Sequence, residues 1–130
     1  MKALLTALAT AALLVACGTA TQAPTDTAKA GTPTQAVDGT LIGPDGRTLY
    51  VFSEDKAGKS VCNATCAVNW PPLAVAAGAA PLGDYTIVTR DDGARQWAFK
   101  GKPLYHYAAD KKAGDKQGNG MGGMWSVAKP

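Results

Sequence analysis

The sequence predicts a mainly β protein: a small antiparallel β-meander domain built from two pseudo-symmetric repeats, with little helix. Three observations support this. A motif occurs twice at one spacing, because Tyr105 follows Tyr50, and Trp125 follows Trp70, by the same 55 residues. Short β-branched and aromatic runs alternate with Gly/Pro/Asp turns. No long segment keeps the 3.6-residue period of an amphipathic helix.

Residues 1–16 are expected to be a lipoprotein signal peptide. Lys2 precedes an apolar run, 3–15, which is shorter than the roughly 17–25 residues of a membrane span. The small residues before Cys17 resemble a lipobox, so we expect Cys17 to be acylated and to become the mature N-terminus. Because Gly18 is not the aspartate that commonly retains lipoproteins at the inner membrane, we expect the outer membrane if the host is Gram-negative.

The segment after the leader differs in composition from the rest of the chain. Residues 17–37 comprise the expected acylated cysteine and a Thr/Ala/Pro-rich tether without aromatic residues, predicted to be disordered. The β-rich domain then takes residues 38–130, with repeat one at about 39–73 and repeat two at about 94–128. Removing Lys2 lowers the net charge from +3 to +2. This mixed, nearly balanced charge argues against nucleic-acid binding and against an electrostatic attachment to the membrane. We therefore expect the lipid to attach the domain to the membrane.

The folded part is predicted to contain short strands joined by tight turns. A hairpin is expected to turn through residues 43–46, and a three-stranded meander through residues 91–93 and 100–101. One helical turn is possible at 63–69, and the prolines at 71 and 72 exclude helix beyond it. The strand candidates, in chain order, are 40–42, 49–52, 85–89, 96–99, 104–107 and 124–127.

The repeated motif is predicted to be a structural joint. Strand alternation puts each motif tyrosine on the same face as the aromatic residue two positions on, so these rings are expected to form core. Trp97 and Tyr85 have no counterpart at the 55-residue spacing and are expected to be the more exposed rings. The motif positions are Tyr50, Phe52, Asp55 and Trp70 in repeat one, and Tyr105, Tyr107, Asp110 and Trp125 in repeat two.

The two motif aspartates admit a catalytic and a structural interpretation. A carboxylate pair can perform acid–base chemistry, but an aspartate just past a strand commonly closes a turn by accepting loop amides. No Ser/His/Asp or Cys/His nucleophile set accompanies Asp55 and Asp110, so we do not expect an enzyme. Residues 118–123 match G-x-G-x-x-G, but no room remains for the helix and acidic residue of a dinucleotide site. Neither nucleotide nor cofactor is expected.

The cysteines also admit two interpretations. With Cys17 acylated, Cys62 and Cys66 remain, and in an exported protein they are most simply a disulfide. Thiolate, thioether and imidazole ligands also suit Cu(I). The alternative is therefore a copper or redox site, with the ligand set Cys62, Cys66, His106, Met121 and Met124.

Taken together, these motifs resemble the bacterial secreted-repeat lipoproteins, predicted lipoproteins with a Yx(FWY)xxD motif. The resemblance covers about residues 39–128 and includes Cys-x-x-x-Cys and the Trp-Pro-Pro-Leu run at 70–73. Ser126 stands where members often have histidine, and Met121 and Met124 where they tend to be aliphatic. Because the family is described as being of unknown function, the resemblance implies no activity. We expect a non-catalytic envelope lipoprotein that binds or scaffolds a partner, with a periplasmic copper or redox protein as the alternative.

Overall fold

Residues 31–130 are described by the computed structural model, and they form short strands with little helix. The predicted signal peptide, Cys17 and most of the predicted tether lie outside the described residues. One helical turn, α1, spans Thr65–Asn69 as predicted, and a 3-10 helix spans Met121–Gly123. The strands are β1 Thr34–Gln35, β2 Leu41–Ile42, β3 Tyr50–Phe52, β4 Tyr85–Thr89, β5 Arg95–Phe99, β6 Lys102–Pro103 and β7 Trp125–Val127.

The described strands form three antiparallel sheets, which confirms the predicted fold class. Their strand orders are β1-β2, β3-β7 and β4-β5-β6. The pairing of β3 with β7 joins the centre of the first repeat to the end of the second. Among residues 31–130, no helix is long and apolar enough to cross a membrane.

A pseudo-two-fold axis passes between Tyr50 and Tyr105. The amide of each donates a hydrogen bond to the carbonyl of the other, at 2.8 and 3.0 Å. Beside this pair, Ser53 N donates to Met124 O and Ala108 N donates to Asn69 O, both at 2.9 Å. The end of each repeat is therefore hydrogen-bonded to the other repeat. Of these two pseudo-symmetric pairings, β3 with β7 alone forms a full strand pair. In the equivalent pairing, residues 71 and 72 are prolines, which lack the amides that a ladder needs.

The predicted tether boundary is wrong, because residues 31–37 belong to the domain. β1 pairs with β2, joining Thr34 to Ile42, and Pro33 just before it is fully buried. This first hairpin corresponds to β4-β5: Leu41 N donates to Ala128 O, and Trp97 N donates to Leu73 O, both at 2.9 Å. Both repeats therefore begin before residues 39 and 94.

Two predicted strand pairings form over shorter lengths than expected. The hairpin of 40–42 with 49–52 forms only next to its turn, where Leu49 N donates to Leu41 O at 3.0 Å and Gly43 N to Arg47 O at 2.9 Å, and β3 pairs with β7. The predicted three-stranded meander forms as β4-β5-β6, but β6 ends at Pro103 and the following segment leaves the sheet. Tyr105 instead forms bridges to Tyr50 and Pro72. Local turn signals identify the strands, but burial of the aromatic rings decides their partners.

The core consists of two adjoining clusters. One is aliphatic, with Leu41, Leu49, Leu73 and Leu104 packed around Trp97. The expected exposure of Trp97 is therefore wrong, since its side chain is fully buried where Leu41 lies in the other repeat, and Tyr85 is half-buried. The second cluster is aromatic and contains Tyr50, Trp70, Tyr105, Trp125 and Cys62.

Candidate functional site

Four aromatic rings from the two repeats form a continuous stack. Trp70 and Trp125 lie face to face at its centre, with ring centroids 3.8 Å apart and planes 3° from parallel. Phe52 stacks on Trp125, and Tyr107 on Trp70, both at 4.4 Å. Each outer ring therefore packs on the tryptophan of the other repeat, and both tryptophans are buried. Aromatic pairs of this kind add about 0.5–1.5 kcal/mol each beyond the area they bury.

Each motif aspartate bonds to the motif tyrosine of the other repeat. Tyr50 Oη donates to Asp110 Oδ2 at 2.6 Å, and Tyr105 Oη donates to Asp55 Oδ2 at 2.7 Å. We call these two bonds the Tyr–Asp clasps. The remaining carboxylate oxygens accept loop amides, Asp55 Oδ1 from Val61 at 2.8 Å and Asp110 Oδ1 from Gln117 at 3.0 Å.

The clasps give Asp55 and Asp110 a larger structural role than the turn predicted from the sequence. Each carboxylate closes a loop of six or seven residues, not an Asx-turn of two, and it also joins the repeats. Strand alternation could not have revealed this, because the bonded residues are 50 and 60 positions apart. The constant motif spacing was the only signal that the two copies meet.

The protonation states of the clasps suit a structural role. Burial, reinforced by the hydrogen bond to Asp55, raises the pKa of Tyr105 to about 12. Burial and the hydrogen bond to Asp110 raise the pKa of Tyr50 further. Burial also raises the pKa of Asp55, although the bonds from Tyr105 and Val61 oppose the shift. Both tyrosines are therefore protonated donors at neutral pH, and both oxygens of each aspartate are engaged.

A buried arginine lies beside one clasp and was not anticipated from the sequence. Arg90 is 5% exposed, and its Nη1 donates to Ser60 Oγ at 2.8 Å and to Gln96 Oε1 at 2.7 Å. Ser60 Oγ shares a hydrogen bond of 2.6 Å with Tyr105 Oη, which links the guanidinium to the Asp55 clasp. An arginine at a strand end normally reaches solvent, so its burial left no sequence signal.

The disulfide lies at the edge of the aromatic cluster. Cys62 and Cys66 are bonded to each other, as the sequence predicted, and Cys62 is fully buried. Arg90 Nη2 donates to the Cys62 carbonyl at 2.5 Å, so the buried guanidinium also braces this loop. The copper alternative would first require reduction of the disulfide, because neither sulfur is a thiolate.

The other residues of the copper alternative have different surroundings. Met121 and Met124 are exposed, each at 42%. His106 is buried, and burial lowers its pKa. Within the part of the chain that the structure describes, no group of three or more His, Cys, Asp or Glu residues could hold a metal ion.

The glycine-rich loop 118–123 covers the aromatic stack. A Cβ atom on Gly118 would lie 2.5 Å from Trp70 Cη2 and 3.0 Å from Tyr107 Cγ, so only glycine fits there. Gly118 N also donates to Tyr50 Oη at 3.3 Å. Within this loop, Met121–Gly123 forms a 3-10 helix, in place of the long helix that a dinucleotide site needs.

An open groove of about 410 Å³ lies between β3 and β6. Its apolar lining includes Val51, Phe52 and Pro103. Its polar lining includes Ser53, Asp55, Ser126 and three lysines, Lys56, Lys100 and Lys102. The groove left no signal in the sequence, because its two sides are about 50 residues apart.

Comparison with known proteins identifies a family but no activity. A family model described as a secreted repeat of unknown function matches the chain twice, over residues 25–74 and 86–129. Both matches begin ahead of the predicted repeat boundaries, in agreement with the hairpins β1-β2 and β4-β5. No curated protein and no solved structure gives a significant match. The two matches span most of the chain, and the protein belongs to this family of secreted repeats of unknown function.

Proposed function

We propose that the protein is a lipid-anchored, non-catalytic binding or scaffolding module of the cell envelope. The observation that carries the non-catalytic part is the pair of Tyr–Asp clasps. Every oxygen of Asp55 and Asp110 accepts a hydrogen bond from a tyrosine or a loop amide. These bonds hold the repeats together and use both oxygens of each motif aspartate in structural contacts, which disfavours acid–base work by this pair.

The anchoring part rests on the sequence before the domain and on the secreted character of the family. Cys17 follows small residues at the end of an apolar leader, in the arrangement of a lipobox. Acylation at Cys17 would attach the domain to the membrane through buried methylenes, each contributing about 0.8 kcal/mol. In a Gram-negative host, Gly18 favours the outer membrane.

Fatty-acid labelling in cells tests the anchor. We expect an alkyne fatty acid to label the wild-type chain and the Cys62→Ala/Cys66→Ala variant, which keeps Cys17 as the control. The Cys17→Ala variant should take no label and should leave the washed membrane fraction. Retained label and retained membrane association in Cys17→Ala would contradict the proposal.

A second substitution tests the expected membrane. In a Gram-negative host, Gly18→Asp should move the labelled protein from the outer-membrane to the inner-membrane fraction of a density gradient. Gly18→Ala is the matched control and should stay with the outer membrane. An unchanged distribution of Gly18→Asp would refute the assignment to the outer membrane while leaving the acylation of Cys17 intact.

A further inference from the structure

We propose that the groove between β3 and β6 binds a small organic phosphate monoester, with its apolar group on Phe52 and its phosphate among Lys56, Lys100 and Lys102. This inference deepens the proposed binding role and rests on it. The structure supports it through the shape of the groove, its charge, its presence at one of two pseudo-symmetric positions and the backbone of Lys100.

The groove offers an apolar wall of suitable size. Phe52 stacks on Trp125, and the ring is only partly buried. Val51, which is also partly buried, extends this wall, so an aromatic or short aliphatic group can be desolvated here. The volume of about 410 Å³ is within the range of small-molecule sites.

The charge of the groove calls for an anion. Lys56, Lys100 and Lys102 are exposed, and none forms an ion pair with any residue of 31–130. The oxygens of Asp55 accept hydrogen bonds from Tyr105 and Val61, and they form no ion pair with these lysines. Three lysines and one carboxylate leave two positive charges, which a phosphate monoester dianion balances.

The groove occurs at one of two pseudo-symmetric positions between the repeats. At the other position, the turn 43–46 packs over His106, and a Cβ atom on Gly43 would lie 2.9 Å from His106 Cε1. Arg47, the counterpart of Lys102, is paired with Asp45 at 2.6 Å. At this second position the space over His106 is thus filled, and the counterpart of Lys102 is ion-paired.

Lys100 occupies a backbone conformation that lysine rarely adopts. Its φ is 48°, and it forms a two-residue turn with Gly101, whose φ is 79°. Asparagine and glycine are preferred in such turns, and a non-glycine residue there is strained. The turn brings Lys100 to the lining of the groove, and its ammonium lies 5.4 Å from the centroid of the Phe99 ring. An asparagine would suit this turn better but carry no charge.

Calorimetric titration of the full chain, purified in detergent, with phenyl phosphate as the probe, tests the proposal. We expect one saturable site, with much weaker binding of inorganic phosphate and none of phenol. Lys56→Gln/Lys102→Gln should weaken binding about tenfold or more, since two charge-assisted contacts are lost. The control is Lys111→Gln/Lys112→Gln, which makes the same charge change outside the groove and should stay within about twofold of wild type.

Lys100→Asn separates binding from folding. We expect weaker phenyl phosphate binding together with an unchanged or raised melting temperature, because the asparagine suits the turn. Absence of saturable binding by the folded wild-type protein up to about 10 mM phenyl phosphate would overturn the proposal. Equal loss in the groove and control double variants would also overturn it, because it would indicate non-specific charge attraction.

The biological phosphate monoester could be a soluble ester or the headgroup of phosphatidic acid. Competition with phenyl phosphate by phosphatidic acid in the micelles, but not by phosphatidylcholine, supports the shared chemistry and assigns a lipid source. Lack of competition, with phenyl phosphate binding intact, supports it with a soluble source. Failure of the groove would leave fatty-acid labelling of Cys17 intact, whereas failure of the anchor would leave the titration unchanged.

Discussion

Removing one tyrosine hydroxyl tests the clasp that joins the repeats. Tyr105→Phe deletes the Oη atom, which donates to Asp55 at 2.7 Å and shares a hydrogen bond of 2.6 Å with Ser60. The ring keeps its packing against Trp125, with centroids 5.1 Å apart. Ser60 retains its bond from Arg90, so the principal loss is the donor to a partly buried carboxylate.

The expected cost follows from this environment. A hydrogen bond to a charged group contributes about 1.5–3 kcal/mol. Without its donor, the carboxylate also stays partly removed from water with no hydrogen bond to offset that cost. We expect Tyr105→Phe to lower the free energy of unfolding by about 2–3 kcal/mol. For a domain of this size, that corresponds to a fall of roughly 8–20 °C in melting temperature.

Chemical denaturation with a matched control measures the effect. Tyr107→Phe removes a hydroxyl that makes no hydrogen bond within the described residues while preserving the stack on Trp70, so its effect should be within about 0.5 kcal/mol. Tyr50→Phe should cost at least as much as Tyr105→Phe, because its acceptor Asp110 is 1% exposed. If Tyr105→Phe matched Tyr107→Phe, the clasp would not hold the repeats together.

Three further predictions concern pH, packing and the disulfide. His106 is the single histidine of the sequence and burial lowers its pKa, so the unfolded chain binds the proton more readily. The free energy of unfolding should therefore fall as the pH drops through about 6.5, and His106→Val should flatten this dependence; an unchanged slope would exclude His106 as its source. Gly118→Ala should lower the free energy of unfolding by about 1–3 kcal/mol, because the added methyl group overpacks Trp70. In a double-mutant cycle, Trp70→Phe should recover part of this loss, whereas zero coupling would place the cost elsewhere. Cys62→Ala/Cys66→Ala should cost about 2 kcal/mol and free-thiol counting on the unfolded wild-type domain should find neither cysteine; two titrating thiols would show that the pair is reduced.

The fold class could be predicted from local signals, whereas several of its boundaries could not. Turn residues and aromatic runs identify most of the described strands, and the disulfide of Cys62 and Cys66 follows from the few cysteines present. The start of the first repeat was missed because Trp97 takes the place of Leu41 at a spacing of 56, against 55 in the motif. A constant spacing cannot detect a hairpin whose strands differ in length between the repeats, two residues each in β1 and β2 against five residues each in β4 and β5.

The sequence by itself determined that one joint is used twice, since a motif held at one spacing requires equivalent positions. Only the tertiary structure decided that the two copies clasp each other, through Tyr50 with Asp110 and Tyr105 with Asp55. It also decided which of the two pseudo-symmetric positions between the repeats keeps an open groove. The physical reason is that hydrogen-bond partners and cavities depend on which distant segments meet, whereas turn and strand preferences act between neighbours in the chain.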